Sequence, residues 1–122
     1  MDLEKIADLL RRSAFHPTRL LILIALLLNG KMTFSELQRT LKLTPGNLGS
    51  HLDKLEEEGL VRQKRDVFRL RYVKVVELTD KGYMALLDYL SSLEEVLERA
   101  KREGQRTKVE EKRSWTVDRE GR

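Results

Sequence analysis

Apolar side chains recur at helical spacing in five segments of the chain and form strand-like runs in two more. Residues 2–15 have leucine, isoleucine and alanine at steps of three and four, which predicts an amphipathic helix. The next segment, Thr18 to Leu28, is aliphatic on nearly every side, so a helix there must lie inside the core. Three further helices and two strands complete the pattern. It predicts a mainly helical α+β domain with a small β-hairpin.

The middle of the chain contains two short predicted helices. Thr33 and Glu36 form a capping box, which begins a helix that continues through Leu41. Thr44 is a suitable N-cap for the second helix, and Gly59 supplies its left-handed stop. Two short helices joined by a tight turn form the helix-turn-helix arrangement, whose second helix enters the DNA major groove. Spacing alone equally allows an ordinary pair of helices, so the flanking segments have to decide.

The second helix has an unusual exposed face. Leu48, Leu52 and Leu55 form its apolar stripe, whereas the opposite side is small and hydrogen-bonding. Each of its two glycines costs about 1 kcal/mol relative to alanine, so we expect a partner to approach closely. The acidic residues 56–58 would repel a phosphate, which favours contact at the N-terminal half. The residues predicted to contact DNA are Thr44, Pro45, Gly46, Asn47, Ser50, His51 and Lys54.

These residues differ in the contact that their chemistry favours. Asn47 and Ser50 have groups that bond to base edges, and an asparagine facing adenine is a favoured pairing, but phosphate or water would serve equally well. Lys54 favours phosphate over a base. His51 borders the apolar stripe, so a packing role and a phosphate contact fit it equally.

The two predicted strands, residues 60–65 and 72–78, form a basic hairpin. Between Val61 and Lys74 there are six cations and one acid, Asp66. We favour a wing that neutralises phosphates over a lysine-protected edge hairpin, because the surplus has one sign. The tip has no Asn-Gly or Gly-Gly signal, which leaves the turn type and register open. The wing residues predicted to contact DNA are Arg62, Lys64, Arg65, Arg69 and Arg71.

The last helix begins at Thr79 and is predicted to be long. Its apolar residues recur at threes and fours over more turns than a small core can cover, which favours a homodimer through the terminal helices over a helix lying across its own domain. Residues 103–122 have mixed charge without periodicity and predict a mobile tail, with Gly104 as the candidate helix end. The predicted dimer contacts are Leu3, Ile6, Leu10, Tyr83, Leu86, Leu87, Leu90, Leu93 and Leu97.

Composition narrows the class of protein. A chain of 122 residues with 40% hydrophobic content can bury one modest core, predicted within residues 1–102. There is no cysteine and there are only two histidines, so we expect no disulfide, metal or other cofactor. No activated nucleophile, Gly-rich phosphate loop or pair of catalytic carboxylates indicates an enzyme. The longest apolar run is too short to span a bilayer, and we expect a cytoplasmic protein without membrane contact.

The order of these segments resembles the single-domain winged helix-turn-helix regulators of archaea and bacteria, close to the MarR and ArsR groups. The resemblance covers roughly residues 14–97. Its matching pieces are His16-Pro17-Thr18-Arg19 leading into residues 22–28, residues 44–48, 51–52 and 55–61, and Leu78-Thr79-Asp80-Lys81-Gly82. It implies a dimeric transcription regulator that binds double-stranded DNA, while a small-molecule effector stays unknown.

Two departures from that family concern DNA contact. Its members often have a Ser-Arg pair where this chain has Gly49-Ser50, and a glycine in an Arg-rich wing tip where residues 67–71 read Val-Phe-Arg-Leu-Arg. The alternatives are a winged-helix protein-interaction module and an architectural DNA binder with little sequence preference.

Overall fold

The fold is that of a computed structural model, which describes residues 3–12 and 15–121 and, within them, the side chains of all but Phe68 and residues 109–121. Over these residues the chain forms five helices and a three-stranded antiparallel sheet in the strand order β1-β3-β2. This is the predicted α+β winged helix fold. The elements are α1 (Leu3–Arg11), α2 (Pro17–Asn29), β1 (Met32–Thr33), α3 (Phe34–Leu41), α4 (Pro45–Glu57), β2 (Val61–Phe68), β3 (Arg71–Leu78) and α5 (Asp80–Gly121).

The core surrounds α2, as its aliphatic sequence predicts. Ile22 and Leu23 are 0% exposed, and they share the core with Leu37 of α3 and the leucine stripe of α4. Phe15 stacks on Tyr89 of α5 with ring centroids 4.3 Å apart. Contacts divide the chain into two compact units, of which the first ends at Tyr89 and the second contains the rest of α5.

Helix ends follow the predicted capping chemistry. The Thr33 hydroxyl accepts a bond from the Glu36 N–H at 3.0 Å, and the Glu36 carboxylate accepts one from the Thr33 N–H at 3.1 Å. The Thr44 hydroxyl accepts a bond from the Asn47 N–H at 3.1 Å, and Gly59 adopts φ 77° after α4. These local bonds explain why both short helices begin where the sequence predicts.

The sheet settles the turn and register that the sequence left open. β1, two residues long and too short for any periodicity, pairs with β3 and was not predicted. β2 pairs with β3 from Val61↔Leu78 to Phe68↔Arg71, so only Arg69 and Leu70 remain in the turn. Both have positive φ, 53° and 64°, which is the pattern of a two-residue type I′ hairpin turn.

The prediction that the last helix ends near Gly104 was wrong, because α5 continues to Gly121. Gly104 is absent from the positive-φ glycines of the described residues, so it does not make the left-handed stop that ends a helix. Its neighbours are strong helix formers. Side chains one turn apart pair before it, Glu98 with Lys101 at 3.9 Å, and across it, Glu103 with Arg106 at 2.6 Å.

Candidate nucleic-acid interface

The side of α4 opposite the core is exposed and polar. Leu48, Leu52 and Leu55 are each 0% exposed, which fixes the rotation of the helix. Thr44 and Pro45, both exposed, form its first turn. The structure therefore brings the predicted contact residues together on one side, although their contact with DNA stays a prediction. The exposed residues of this side are Gly46, Asn47, Ser50 and Lys54.

Two features of this side have no explanation within the chain. A Cβ added at Gly46 or Gly49 would meet nothing within 4 Å, so neither glycine is required by internal packing. The Asn47 amide and the Ser50 hydroxyl form no hydrogen bond with any of the described residues. A helix that retains two costly glycines beside unengaged polar groups is suited to close approach by an external partner.

His51 joins α4 to the start of α2. Arg19 Nε donates a hydrogen bond to His51 Nδ1 at 3.1 Å, and the His16 ring stacks on His51 with centroids 5.7 Å apart. Burial, followed by the positive charges of Arg19 and His16, lowers the pKa of His51 below its ordinary value. The neutral ring with its proton on Nε2 is therefore favoured, which suits the packing role. Sequence reasoning missed Arg19 as its partner, since 32 positions separate the two residues.

A second set of bonds joins α4 to the hairpin. The Gln63 N–H donates to Glu56 Oε2 at 2.9 Å, and Gln63 Nε2 donates to Asp53 Oδ1 at 3.2 Å. The sequence suggested for Glu56 only a repulsive role toward phosphate. In the structure Glu56 and Asp53 instead fix the first strand of the wing against the helix.

The hairpin cations fall into two groups. Arg62 Nη1 and Lys64 Nζ both contact Glu77 Oε1, at 3.3 Å and 3.1 Å, and the Lys64 hydrogen bond is the largest cause that lowers the pKa of Glu77. Glu77 lies three residues beyond the basic stretch counted in the sequence, but the antiparallel register places it opposite Arg62. Two of the five predicted wing contacts therefore share one carboxylate within the chain, which offsets one of their two positive charges.

The remaining cations lie toward the hairpin tip. Arg65 and Lys74 are directly opposite each other in the register, and like charges in that position destabilise a sheet. Arg69 lies in the turn and Arg71 follows it. An anion beside this end of the hairpin would relieve the repulsion.

An open groove of about 870 Å³ lies between the first turns of α3 and strand β3. Its walls include three cations, Arg39, Arg71 and Lys74, and one acid, Glu36. The Lys74 ammonium lies 5.2 Å above the centre of the Phe34 ring. The positive charge of the wing thus continues onto α3. The sequence did not indicate Arg39, because nothing in its spacing relates it to the hairpin.

The predicted dimer residues do not share one environment. Leu86 is 0% exposed and lies in the core, which excludes it from a partner surface. Other predicted contacts of the first unit are exposed, with Leu3 at 78%, Leu10 at 53% and Tyr83 at 45%. Leu87 is 37% exposed, and Ile6 is half-buried.

In the second unit, Leu93 and Leu97 are 37% and 52% exposed, and Leu90 is half-buried. Val96, which the prediction did not include among the contacts, adds to the same exposed surface at 36%. The part of α5 beyond Tyr89 thus has an apolar surface of its own.

A family model described as a winged helix DNA-binding domain matches residues 18–97. The chain belongs to this family. The match begins at the second residue of α2 and includes α3, α4, the hairpin and the start of α5. It therefore includes the exposed side of α4 and the hairpin cations described above. Family and fold are those of transcription regulators and not of enzymes.

Solved structures agree with this assignment. A transcriptional regulator homologue from Pyrococcus horikoshii OT3 is 40% identical, with a TM-score of 0.71 over 79% of this chain and 96% of that one. A putative MarR-family regulator from Enterococcus faecalis V583 is 28% identical, with a TM-score of 0.66 over 87% of this chain and 94% of that one. An uncharacterized protein from Methanocaldococcus jannaschii is 42% identical over 57 residues, which cover 47% of this chain and 62% of that protein.

The described residues contain neither a metal-binding group nor a membrane-spanning helix. No group of three or more His, Cys, Asp or Glu side chains is arranged there to hold a metal ion. No helix among these residues is long and apolar enough to cross a membrane.

Proposed function

We propose that this protein is a transcription regulator that binds double-stranded DNA sequence-specifically as a homodimer. The observation that carries the proposal is the exposed side of α4, where Gly46 and Gly49 face open space beside the unengaged groups of Asn47 and Ser50. In a winged helix protein this helix is the one that enters the major groove. The resemblance to a transcriptional regulator homologue at 40% identity supports the same proposal.

The two parts of the surface have different tasks in this proposal. Asn47 and Ser50 read base edges, and the absence of side chains at Gly46 and Gly49 lets the backbone approach the groove. Arg65, Arg69 and Arg71 neutralise phosphates and supply affinity that does not depend on sequence. The bonds of Gln63 to Asp53 and Glu56 set the position of the hairpin relative to the helix.

The homodimer is supported by apolar surface on both terminal helices. Leu3 and Leu10 of α1 are 78% and 53% exposed, and α5 adds the partly exposed residues Leu93, Val96 and Leu97. A partner chain would remove this surface from water. Two-fold symmetry would then present two copies of α4 to half-sites about one helical turn apart.

Base discrimination at Asn47 tests the specific part of the proposal. After selection of bound sites from a random duplex pool, Asn47→Ala should lose discrimination at one base position, at a cost of about 1–3 kcal/mol against the preferred base. Asn29→Ala is the matched control, because Asn29 bonds to the Ala25 carbonyl within α2 and lies outside the surface. Discrimination that survives Asn47→Ala at every position would contradict the role given to this residue.

The salt dependence of binding tests the wing. Removing the charges of Arg69 and Arg71 should weaken all duplexes alike and reduce the slope of log K against log salt by about 1–2. Lys101→Ala with Arg102→Ala removes the same charge from α5 and should leave the slope nearly unchanged. A retained salt slope with no selected motif would favour the architectural binder, whereas no duplex binding at all would favour the protein-interaction module.

A further inference from the structure

The turn of the hairpin has a conformation that its residues do not favour. Arg69 and Leu70 both lie in the left-handed region, at φ 53° and 64°, where hairpin turns strongly favour asparagine and glycine. A non-glycine residue there costs about 1–2 kcal/mol, because its Cβ crowds the following carbonyl oxygen. Leucine at the second position of the turn therefore provides a side chain but strains the backbone. Such strain points to a use for that side chain.

Leu70 is also the most exposed large apolar residue of the described chain, at 97%. Val67 and Tyr72 are 56% and 78% exposed, and the register places them directly opposite each other, on one face of the hairpin. These three residues, Val67, Leu70 and Tyr72, form what we name the apolar tip. Water surrounds most of it, which is unfavourable for so much apolar surface at the end of a protruding hairpin.

Cations outnumber acids around the apolar tip, where the one carboxylate of residues 61–74, Asp66, accepts a hydrogen bond from the Val67 N–H. Arg69 and Arg71 flank Leu70 in sequence, and Arg65 lies opposite Lys74 two pairs farther along the strands. The ligand that matches an apolar point inside a positive collar is a polyanion with an apolar interior. Duplex DNA has this structure, since stacked bases lie below two rows of phosphates. Proteins that bind the minor groove insert leucine and similar side chains between base steps and thereby kink the duplex.

We propose that Leu70 is a wedge that enters the DNA minor groove next to the half-site bound by α4 and partly unstacks one base step. Arg69 and Arg71 contact the phosphates on either side of the groove, and the Val67–Tyr72 pair packs along the sugars. This inference rests on the proposed function and adds to it a deformation of DNA, and hence a preference for flexible pyrimidine–purine steps at positions that α4 does not touch.

Leu70→Gly is the informative variant. Glycine suits the second position of this turn, so the variant should unfold at an unchanged or higher temperature than the natural protein. Its affinity for the selected duplex should nevertheless fall about tenfold, because one buried leucine contributes that order of binding free energy. Leu28→Ala is the control, since Leu28 is 76% exposed and lies on α2, outside the hairpin. Leu70→Met should retain most of the affinity.

Unstacking is measured with 2-aminopurine placed at successive steps of the selected duplex. The natural protein and Leu28→Ala should increase the fluorescence at one step beside the half-site, and Leu70→Gly should abolish the increase. Binding by the natural protein with no increase at any step, or an increase that survives Leu70→Gly, would overturn the wedge and leave the proposed function intact. A natural protein that does not bind duplex DNA at all would instead overturn the proposed function.

Discussion

Gly82 connects the start of α5 to the start of the hairpin. A Cβ at this position would overlap the Leu60 carbonyl oxygen and lie 2.9 Å from its carbon. The same corner is held by Thr79, whose hydroxyl donates to the Gly59 carbonyl at 2.6 Å and accepts from the Gly82 N–H at 2.9 Å. Backbone meets backbone here, so no side-chain rearrangement can make room.

Gly82→Ala should therefore destabilise the fold by about 1–3 kcal/mol, the range of an overpacked site. Gly104→Ala is the matched control on the same helix, because its Cβ would meet nothing within 4 Å and alanine is the better helix former by about 1 kcal/mol. Urea unfolding measures both. Equal effects of the two substitutions would show that the corner tolerates a side chain.

The surroundings of a single residue, His51, keep its ring neutral. Because burial is the largest cause of its lowered pKa, and the Arg19 charge only the second, Arg19→Gln should raise the pKa of His51 without restoring it to the ordinary histidine value of 6.5. Titration of the ring protons by NMR measures this shift. Full restoration would mean that Arg19, and not burial, controls the ring.

The lowered pKa of His51 also fixes how the stability of the fold changes with pH. With a folded pKa below the unfolded one, the unfolded chain takes up the proton first, so stability is unaffected above the unfolded pKa. It falls as the pH decreases from there through the folded pKa of His51.

At the scale of elements, α4 is held from two sides. Arg19 bonds to His51 on the side of α2, and Gln63 bonds to Asp53 and Glu56 on the side of the hairpin. The first turns of α4, which contain the glycines, have neither attachment. The helix is thus fixed along its second half and open at the half that we propose enters the groove.

Within the hairpin, Glu77 sets how many cations remain for a ligand. Glu77→Gln should lower stability by at most about 1 kcal/mol at neutral pH, since the side chains of Arg62 and Lys64 are 61% and 43% exposed and water screens their charges. The same change should strengthen DNA binding and steepen its salt dependence, because two cations lose their internal partner. Glu95→Gln, the same change on α5, is the control. Weaker binding by Glu77→Gln would indicate that the ion pairs orient the wing.

The difference in stability between the natural protein and Glu77→Gln depends on pH, and the sign of this dependence is defined. The folded pKa of Glu77 is lowered, so its ion pairs stabilise the fold above the unfolded pKa of about 4.5. This contribution is lost as the pH falls through the folded pKa of the carboxyl group. Unfolding free energies of the natural protein and Glu77→Gln should therefore converge in acid.

At the scale of the whole molecule, the proposed dimer depends on apolar surface of the terminal helices. Leu93→Glu with Leu97→Glu should yield a monomer by sedimentation equilibrium, because two carboxylates would be buried at the interface. Affinity for a two-fold site should fall by more than tenfold, while helicity is retained. Leu28→Glu, at a leucine of α2 that is 76% exposed, should remain dimeric. Unchanged mass of the double variant would place the partner surface elsewhere.

The elements could be predicted from the sequence because each rests on bonds between near neighbours. The capping box of Thr33 and Glu36, the Thr44 cap and the Gly59 stop are contacts over a few residues, and the order of elements indicated the winged helix family. The end of α5 could not be predicted in this way. A glycine stops a helix only in the left-handed conformation, and nothing in the local sequence of Gly104 imposes one.

Only the tertiary structure decided which side chains are engaged and which face outward. The register of the hairpin placed Glu77 against Arg62 and Lys64, and the same register confined the turn to Arg69 and Leu70. Packing of α2 against α4 joined Arg19 to His51, and burial of Leu86 removed one predicted dimer contact. Such contacts join residues far apart in the chain, so composition and periodicity do not encode them. The sequence by itself determined the helices, the small face of α4 and the basic hairpin, because those depend on neighbours within a few residues.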